Sequence, residues 1–156
     1  MPSIVPCLWF DGQAEQAAEL YTKIFPNSEI LAVARYGPDG PGPDDAVMTV
    51  EFSLDGHPFL GLNGGPEFSF TEAVSFQIFV GDQTEVDYYW DALTADGEES
   101  YCGWLKDKFG LSWQVIPAAF THAMEHGDPA AQQRVMQAML KMRRFDVAAI
   151  ERAAAG

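Results

Sequence analysis

The sequence predicts an α+β protein made of two βαβββ modules followed by C-terminal helices. Three observations predict it. The helix-face residues Ala17, Leu20, Tyr21 and Ile24 recur 69 positions later as Val86, Tyr89, Trp90 and Leu93. Both sets fall at i, i+3, i+4 and i+7, one face of an amphipathic helix, so one strand–helix–strand pattern is passed through twice. Each pass closes on a strand behind a glycine turn, Asp55-Gly56 and then Phe109-Gly110. Strand signals stop after Pro117, and helical periodicity takes over.

In order, Ser3 to Phe10 reads as a strand, with Pro6 marking an edge or irregular position. Asp11-Gly12 ends it and can cap the helix from Gln13 to Phe25, which Pro26-Asn27 stops. Glu29 to Tyr36 is a second strand. The Pro/Gly run from Gly37 to Asp45 is an exposed loop. Val47 to Leu54 and Pro58 to Asn63 form a hairpin around Asp55-Gly56, and Gly64-Gly65-Pro66 closes a first module, residues 1–66.

The second module, residues 67–117, begins with a strand from Ala73 to Val80 and a helix capped by Asp82. From Glu98 to Pro117 two or three short strands turn at Gly103 and at Phe109-Gly110. The last strand alternates, with Ser112, Gln114 and Ile116 on one face and Trp113 and Val115 on the other. Residues 118–156 form a helical appendage to a single domain. Asp128-Pro129 is an N-cap with proline at N1. Val135, Met136, Met139 and Leu140 mark a face for core or dimer packing, and a last helix runs from about Asp146 to Ala154.

The 156 residues are 47% hydrophobic, enough for a sizeable core. A net charge of −14 argues against a nucleic-acid surface, which needs clustered Lys and Arg. The basic cluster Lys141-Met142-Arg143-Arg144 is followed by Asp146 and Glu151 and reads as a solvated helix end. Two cysteines, Cys7 and Cys102, suit neither a disulfide framework nor a zinc site and read as buried reduced thiols. No apolar run reaches membrane-spanning length, and no basic-then-apolar leader opens the chain. The expectation is a soluble cytoplasmic protein without a nucleic-acid or membrane partner.

Gln114 is an amide in the middle of an apolar strand. It is either a paired core amide or part of a pocket. His57 follows a hairpin turn and reads as exposed. His122 and His126 share a helical face without an obvious third metal ligand. Cys102 has no evident base to activate it, and Gly61-Leu62-Asn63-Gly64-Gly65 follows a strand in a hairpin, so a phosphate or dinucleotide cradle is disfavoured.

Several blocks in order carry a family resemblance: Leu8-Trp9-Phe10-Asp11-Gly12-Gln13-Ala14-Glu15, Leu62-Asn63-Gly64-Gly65-Pro66, Asp82-Gln83-Thr84-Glu85-Val86-Asp87, Cys102-Gly103-Trp104-Leu105-Lys106-Asp107 and Gln137-Ala138-Met139-Leu140-Lys141-Met142. The chain resembles the PhnB-like, or 3-demethylubiquinone-9 3-methyltransferase-like, group of the vicinal oxygen chelate (glyoxalase/bleomycin resistance/dioxygenase) superfamily. The resemblance implies a glyoxalase-like mixed sheet curled around a cavity. Metal-dependent members hold a divalent ion there, and the matching positions are Pro6, Leu60, Ser75 and Gln114. Pro6 and Leu60 have no side-chain donor, and Ser75 and Gln114 are weak neutral ones. The resemblance thus implies no metal and no cofactor here. It leaves a cavity lined by Leu8, Phe10, Leu60, Leu62, Ser75, Gln77, Trp104 and Gln114, with Trp9, Phe59 and Trp113 packed under the helices. The function expected is metal-independent binding of a small, largely apolar or aromatic molecule by a homodimer. The alternative is a small-molecule enzyme of glyoxalase-like or methyltransferase-like type.

Overall fold

The computed structural model describes residues 1–40 and 42–156, in the element order β1 (Cys7–Phe10), α1 (Ala14–Ile24), β2 (Glu29–Arg35), β3 (Val47–Leu54), β4 (His57–Asn63), β5 (Ser75–Val80), α2 (Gln83–Thr94), β6 (Glu98–Glu99), β7 (Trp104–Lys106), β8 (Ser112–Pro117), α3 (Ala118–His126), α4 (Pro129–Met139) and α5 (Val147–Ala155). The strands form two separate four-stranded sheets, ordered β1-β4-β3-β2 and β5-β8-β7-β6. In each, the first strand lies parallel to the last and the other pairs are antiparallel. The two βαβββ passes thus have one topology. The chain divides into two compact units, residues 1–69 and 70–156.

In the first unit α1 buries Ala14, Ala17, Ala18, Tyr21 and Ile24. Small residues let the helix lie close to the sheet. A Cβ on Gly61 would stand 3.1 Å from the Ala14 Cβ, so glycine is needed at that approach. Phe52 stacks on Phe59 at 5.4 Å between ring centroids, with Tyr21 beside it at 6.2 Å. The β3–β4 turn has Asp55 and Gly56 both at positive φ, as a two-residue hairpin of type I′ geometry requires. All of β2, the edge strand, is exposed.

Two local expectations are corrected here. The strand begins at Cys7 rather than Ser3, since Pro6 has no N–H to give a ladder, although its carbonyl accepts from Leu60 N–H at 2.9 Å. Nor is α1 capped by Asp11-Gly12. Its N-cap residue is Gln13, with no side-chain cap bond, and the Ala14 N–H is taken by Asn63 Oδ1 at 2.9 Å. Asn63 Nδ2 donates to Val47 O at 3.0 Å, so one amide ties the helix start to two strands. The loop from Gly37 to Asp45 carries no helix or strand in its described residues, and Pro41 within it lies outside them.

In the second unit Asp82 caps α2 by accepting the Glu85 N–H at 3.0 Å, and Val86, Trp90 and Leu93 are buried. Asp128 and Asp146 cap α4 and α5 in the same way. The three last helices pack on the end of β8 through Ile116, Ala123, Val135, Phe145 and Ile150, with Phe120 stacked on Phe145. Gln83 fastens this group to α2: its Nε2 donates to Phe145 O at 3.0 Å and its Oε1 accepts Val147 N–H at 2.8 Å. Of the expected Met-rich face, Val135 is buried and Met139 packs beside it, but Met136 and Leu140 point to solvent. Among the described residues no helix is long and apolar enough to cross a membrane.

Candidate functional site

Alternation gives the second sheet two faces. One lies under α2 and carries Phe76, Ile78, Val80, Leu105, Trp113 and Val115. The other carries Ser75, Gln77, Phe79, Trp104, Lys106, Ser112, Gln114 and Ile116. Cross-strand register fixes this set, since Ser75 stands opposite Ser112, Gln77 and Trp104 opposite Gln114, and Lys106 opposite Ser112. Four expected cavity residues (Ser75, Gln77, Trp104 and Gln114) therefore share one face of one unit. Gln114 is half-buried, its Nε2 donating to Ser75 Oγ at 2.8 Å, while Gln77 Nε2 reaches its Oε1 at 3.5 Å. The amide is paired through nitrogen, and among the described residues its oxygen has only the longer contact.

In the first unit the expected set divides. Cys7 stands opposite Leu60 and Trp9 opposite Leu62, so these four share a face. Leu8 and Phe10 lie on the other face, against α1, at 6% and 3% exposure, and the Phe10 ring is 3.6 Å from where a Gly61 Cβ would stand. Their expected position beside Leu60 and Leu62 is thereby corrected. The cause is one residue. From the end of β1 at Phe10 to the N-cap Gln13 there are two linking residues, but from Val80 to the N-cap Asp82 there is one. The helices therefore repeat at an offset of 69 and the strands at 70, and a one-residue slip exchanges every side chain between faces.

Trp9 moves with this correction. It does not pack under a helix: its Nε1 donates to Gly65 O at 2.8 Å and its ring meets Phe68 edge-on at 4.9 Å. A Cβ on Gly64 would fall 2.3 Å from that ring. Phe59 and Trp113 do lie on the helix-covered faces. The cysteines are also corrected, since Cys7 is exposed and Cys102 half-buried, in a turn at φ 62°.

The divalent-ion positions that the resemblance implies carry no suitable donors. Shifting the first strand by one residue replaces Pro6 by Val5 opposite the role of Ser75, and neither side chain has a donor atom. Leu60 has none either, and Ser75 and Gln114 are bonded to each other. Among the described residues no three of His, Cys, Asp and Glu stand close enough to hold a metal ion. His122 and His126 have ring centroids 4.9 Å apart on α3 and border a groove of about 750 Å³ with Asp82 and Glu151.

Charge on the site's face is concentrated at one edge. Lys106 is ion-paired with Glu72. That hydrogen bond, then the opposite charge, holds the Glu72 carboxyl below its usual range and raises the Lys106 ammonium. Behind the face, Asp107 is 3% exposed. Its Oδ1 accepts Phe109 and Leu111 N–H at 2.9 and 3.1 Å, and its Oδ2 accepts Trp113 Nε1–H at 2.9 Å. This carboxylate shapes the turn between β7 and β8 and so sets the pairing of Trp104 with Gln114. An acidic residue three before Gly110 is a turn signal, but nothing local foretells the indole partner.

This geometry defines a glyoxalase-like α+β protein. Similar solved structures include a putative 3-demethylubiquinone-9 3-methyltransferase, PhnB protein, from Bacillus cereus, at 33% identity and TM-score 0.69, covering 75% of this chain and 100% of that one. Protein PA1353 from Pseudomonas aeruginosa is 21% identical at TM-score 0.62, covering 75% and 98%. The fosfomycin resistance protein FosX from Listeria monocytogenes shares the fold at 17% identity and TM-score 0.51, covering 76% and 92%. No curated protein matches the chain. The family model described as 3-demethylubiquinone-9 3-methyltransferase matches residues 2–116. The chain belongs to that family, the PhnB-like group. Helices α3 to α5 lie beyond the matched residues.

Proposed function

We propose that this PhnB-like protein binds a small, largely apolar or aromatic molecule without a metal ion, on the sheet face bearing Ser75, Gln77, Trp104 and Gln114. The observation that carries the reading is the Ser75–Gln114–Gln77 row. By the resemblance, Ser75 and Gln114 match positions where metal-dependent members use imidazole or carboxylate, and an indole stands beside them. Neutral polar groups beside an indole can orient a ligand without charging it. In the first unit Leu60 and Leu62, with Cys7 and Trp9, form the corresponding face. The family's description keeps a methyltransferase-like enzyme as the second reading.

The test is a titration with benzyl alcohol followed by NMR at the Trp104 indole N–H, which stands opposite Gln114. The reading predicts a saturable shift that Gln114→Leu weakens about tenfold, the worth of one hydrogen bond. Equal binding by the variant contradicts it. Homodimerisation in a reducing cytoplasm belongs to the same proposal. It is supported by the exposed edge strand β2, with Ile30, Leu31 and Val33, and by the two free thiols.

A further inference from the structure

At the β6–β7 edge of the same face lies a small cavity of about 120 Å³. Glu72, Glu98, Glu99, Trp104, Lys106 and Ser112 are among the residues that line it. It has room for a group of a few heavy atoms. Ser112 is 1% exposed, and its Oγ has no hydrogen-bond partner among the described residues. Buried hydroxyls are costly when unpaired, so a partner supplied from outside the chain is the natural completion.

The remaining walls say what that partner is. Two carboxylates, Glu72 and Glu98, stand beside one lysine, and a third, Glu99, is turned toward α2. Lys106 is bonded to Glu72 and stands opposite Glu98 in the ladder, so its charge is already countered. Glu99 Oε1 accepts the Trp90 indole N–H at 2.7 Å. The surplus is negative, the hydroxyl can accept, and an indole face attracts cations. An anion would meet the carboxylates, and an apolar group would leave the hydroxyl orphaned.

The geometry points to a subsite for a primary ammonium group, donating to Ser112 Oγ and the Glu98 carboxylate beside the Trp104 ring. This rests on the binding reading above and narrows it: the ligand is a small apolar or aromatic amine. Its ring lies along the face by Trp104 and Gln114, and its nitrogen enters the edge cavity.

Benzylamine, benzyl alcohol and benzoate, titrated separately into the full chain at neutral pH, separate the two claims. The readout is the Trp104 indole and Gln114 amide NMR signals. Benzylamine is expected to bind about tenfold tighter than benzyl alcohol, with benzoate weakest. Ser112→Ala removes a hydroxyl that has no partner, so the fold is kept. It should weaken benzylamine about tenfold and benzyl alcohol little, and Glu98→Gln should do the same. Benzylamine and benzyl alcohol binding alike overturns the ammonium subsite but leaves the face reading standing. So does benzylamine binding that Ser112→Ala leaves intact, which would assign the cavity to water. Benzoate binding tightest overturns the subsite in favour of Lys106 as an anion anchor. Failure of all three to bind overturns both claims.

Discussion

Asp107 governs more of the candidate site than any residue on the face of Ser75, Gln77, Trp104 and Gln114. One carboxylate takes two backbone N–H groups and the Trp113 indole, and so fixes the turn that brings Trp104 and Gln114 opposite each other. Asp107→Ala would strand three donors, two of them buried, and a loss of about 3 kcal/mol in urea unfolding is expected. Asp107→Asn keeps one acceptor oxygen and should lose less. A loss below about 1 kcal/mol for the alanine variant would mean that water replaces the carboxylate. At this scale the sequence was partly legible. Gln114 could be singled out because an amide in an apolar strand needs a partner, and Ser75 proves to be that partner. Asp107 could not, because the indole it serves is known only once the hairpin register is. The Asn63 cap was hidden for the same reason: the helix it serves begins 49 residues earlier.

Among the elements, α1 and α2 were readable from their periodicity and the β3–β4 hairpin from Asp55-Gly56, since these signals sit within a single turn or window. Strand faces were not. The helix repeat carried the right offset for helices, and one extra linking residue before α1 reversed the faces of β1, moving Leu8 and Phe10 into the core and Trp9 out of it. The junction between α2 and the last helices also rests on non-local bonds. Arg144 reaches Asp87 at 3.1 Å and Asp91 at 2.8 Å, and Gln83 binds Asp87 and the Phe145–Val147 backbone. The Gln83 amide chiefly, and then Arg144, hold the Asp87 carboxyl below its usual range against a desolvation effect. A depressed carboxyl stabilises above its unfolded pKa, and that contribution is lost as pH falls through the folded value. Protection of the Val147 amide from hydrogen exchange should therefore drop on acidification below the ordinary carboxylate range. Arg144→Ala should lower it about two- to fivefold at neutral pH and little in acid. Protection that is indifferent to both changes would show the junction held by Phe145 packing alone.

For the whole molecule, the duplicated topology followed from the repeat, and the family followed from blocks spread along the chain. Oligomeric state did not, because an interface requires only exposed surface of the right kind. The exposed β2 edge is the surface proposed for self-association, and light scattering should report a dimer. Leu31→Lys places a charge on that edge and should shift the population toward monomer. A monomeric wild type, or a dimer indifferent to the substitution, would remove β2 from the account.

The central claim is that the face of Ser75, Gln77, Trp104 and Gln114 works as a neutral surface where metal-dependent relatives hold an ion. Elemental analysis of the protein, incubated with nickel, manganese, zinc and iron(II) and then desalted, tests it most directly. The account predicts no stoichiometric metal after desalting. One equivalent of retained metal that Gln114→Leu abolishes would contradict it and return metal-dependent chemistry to this face.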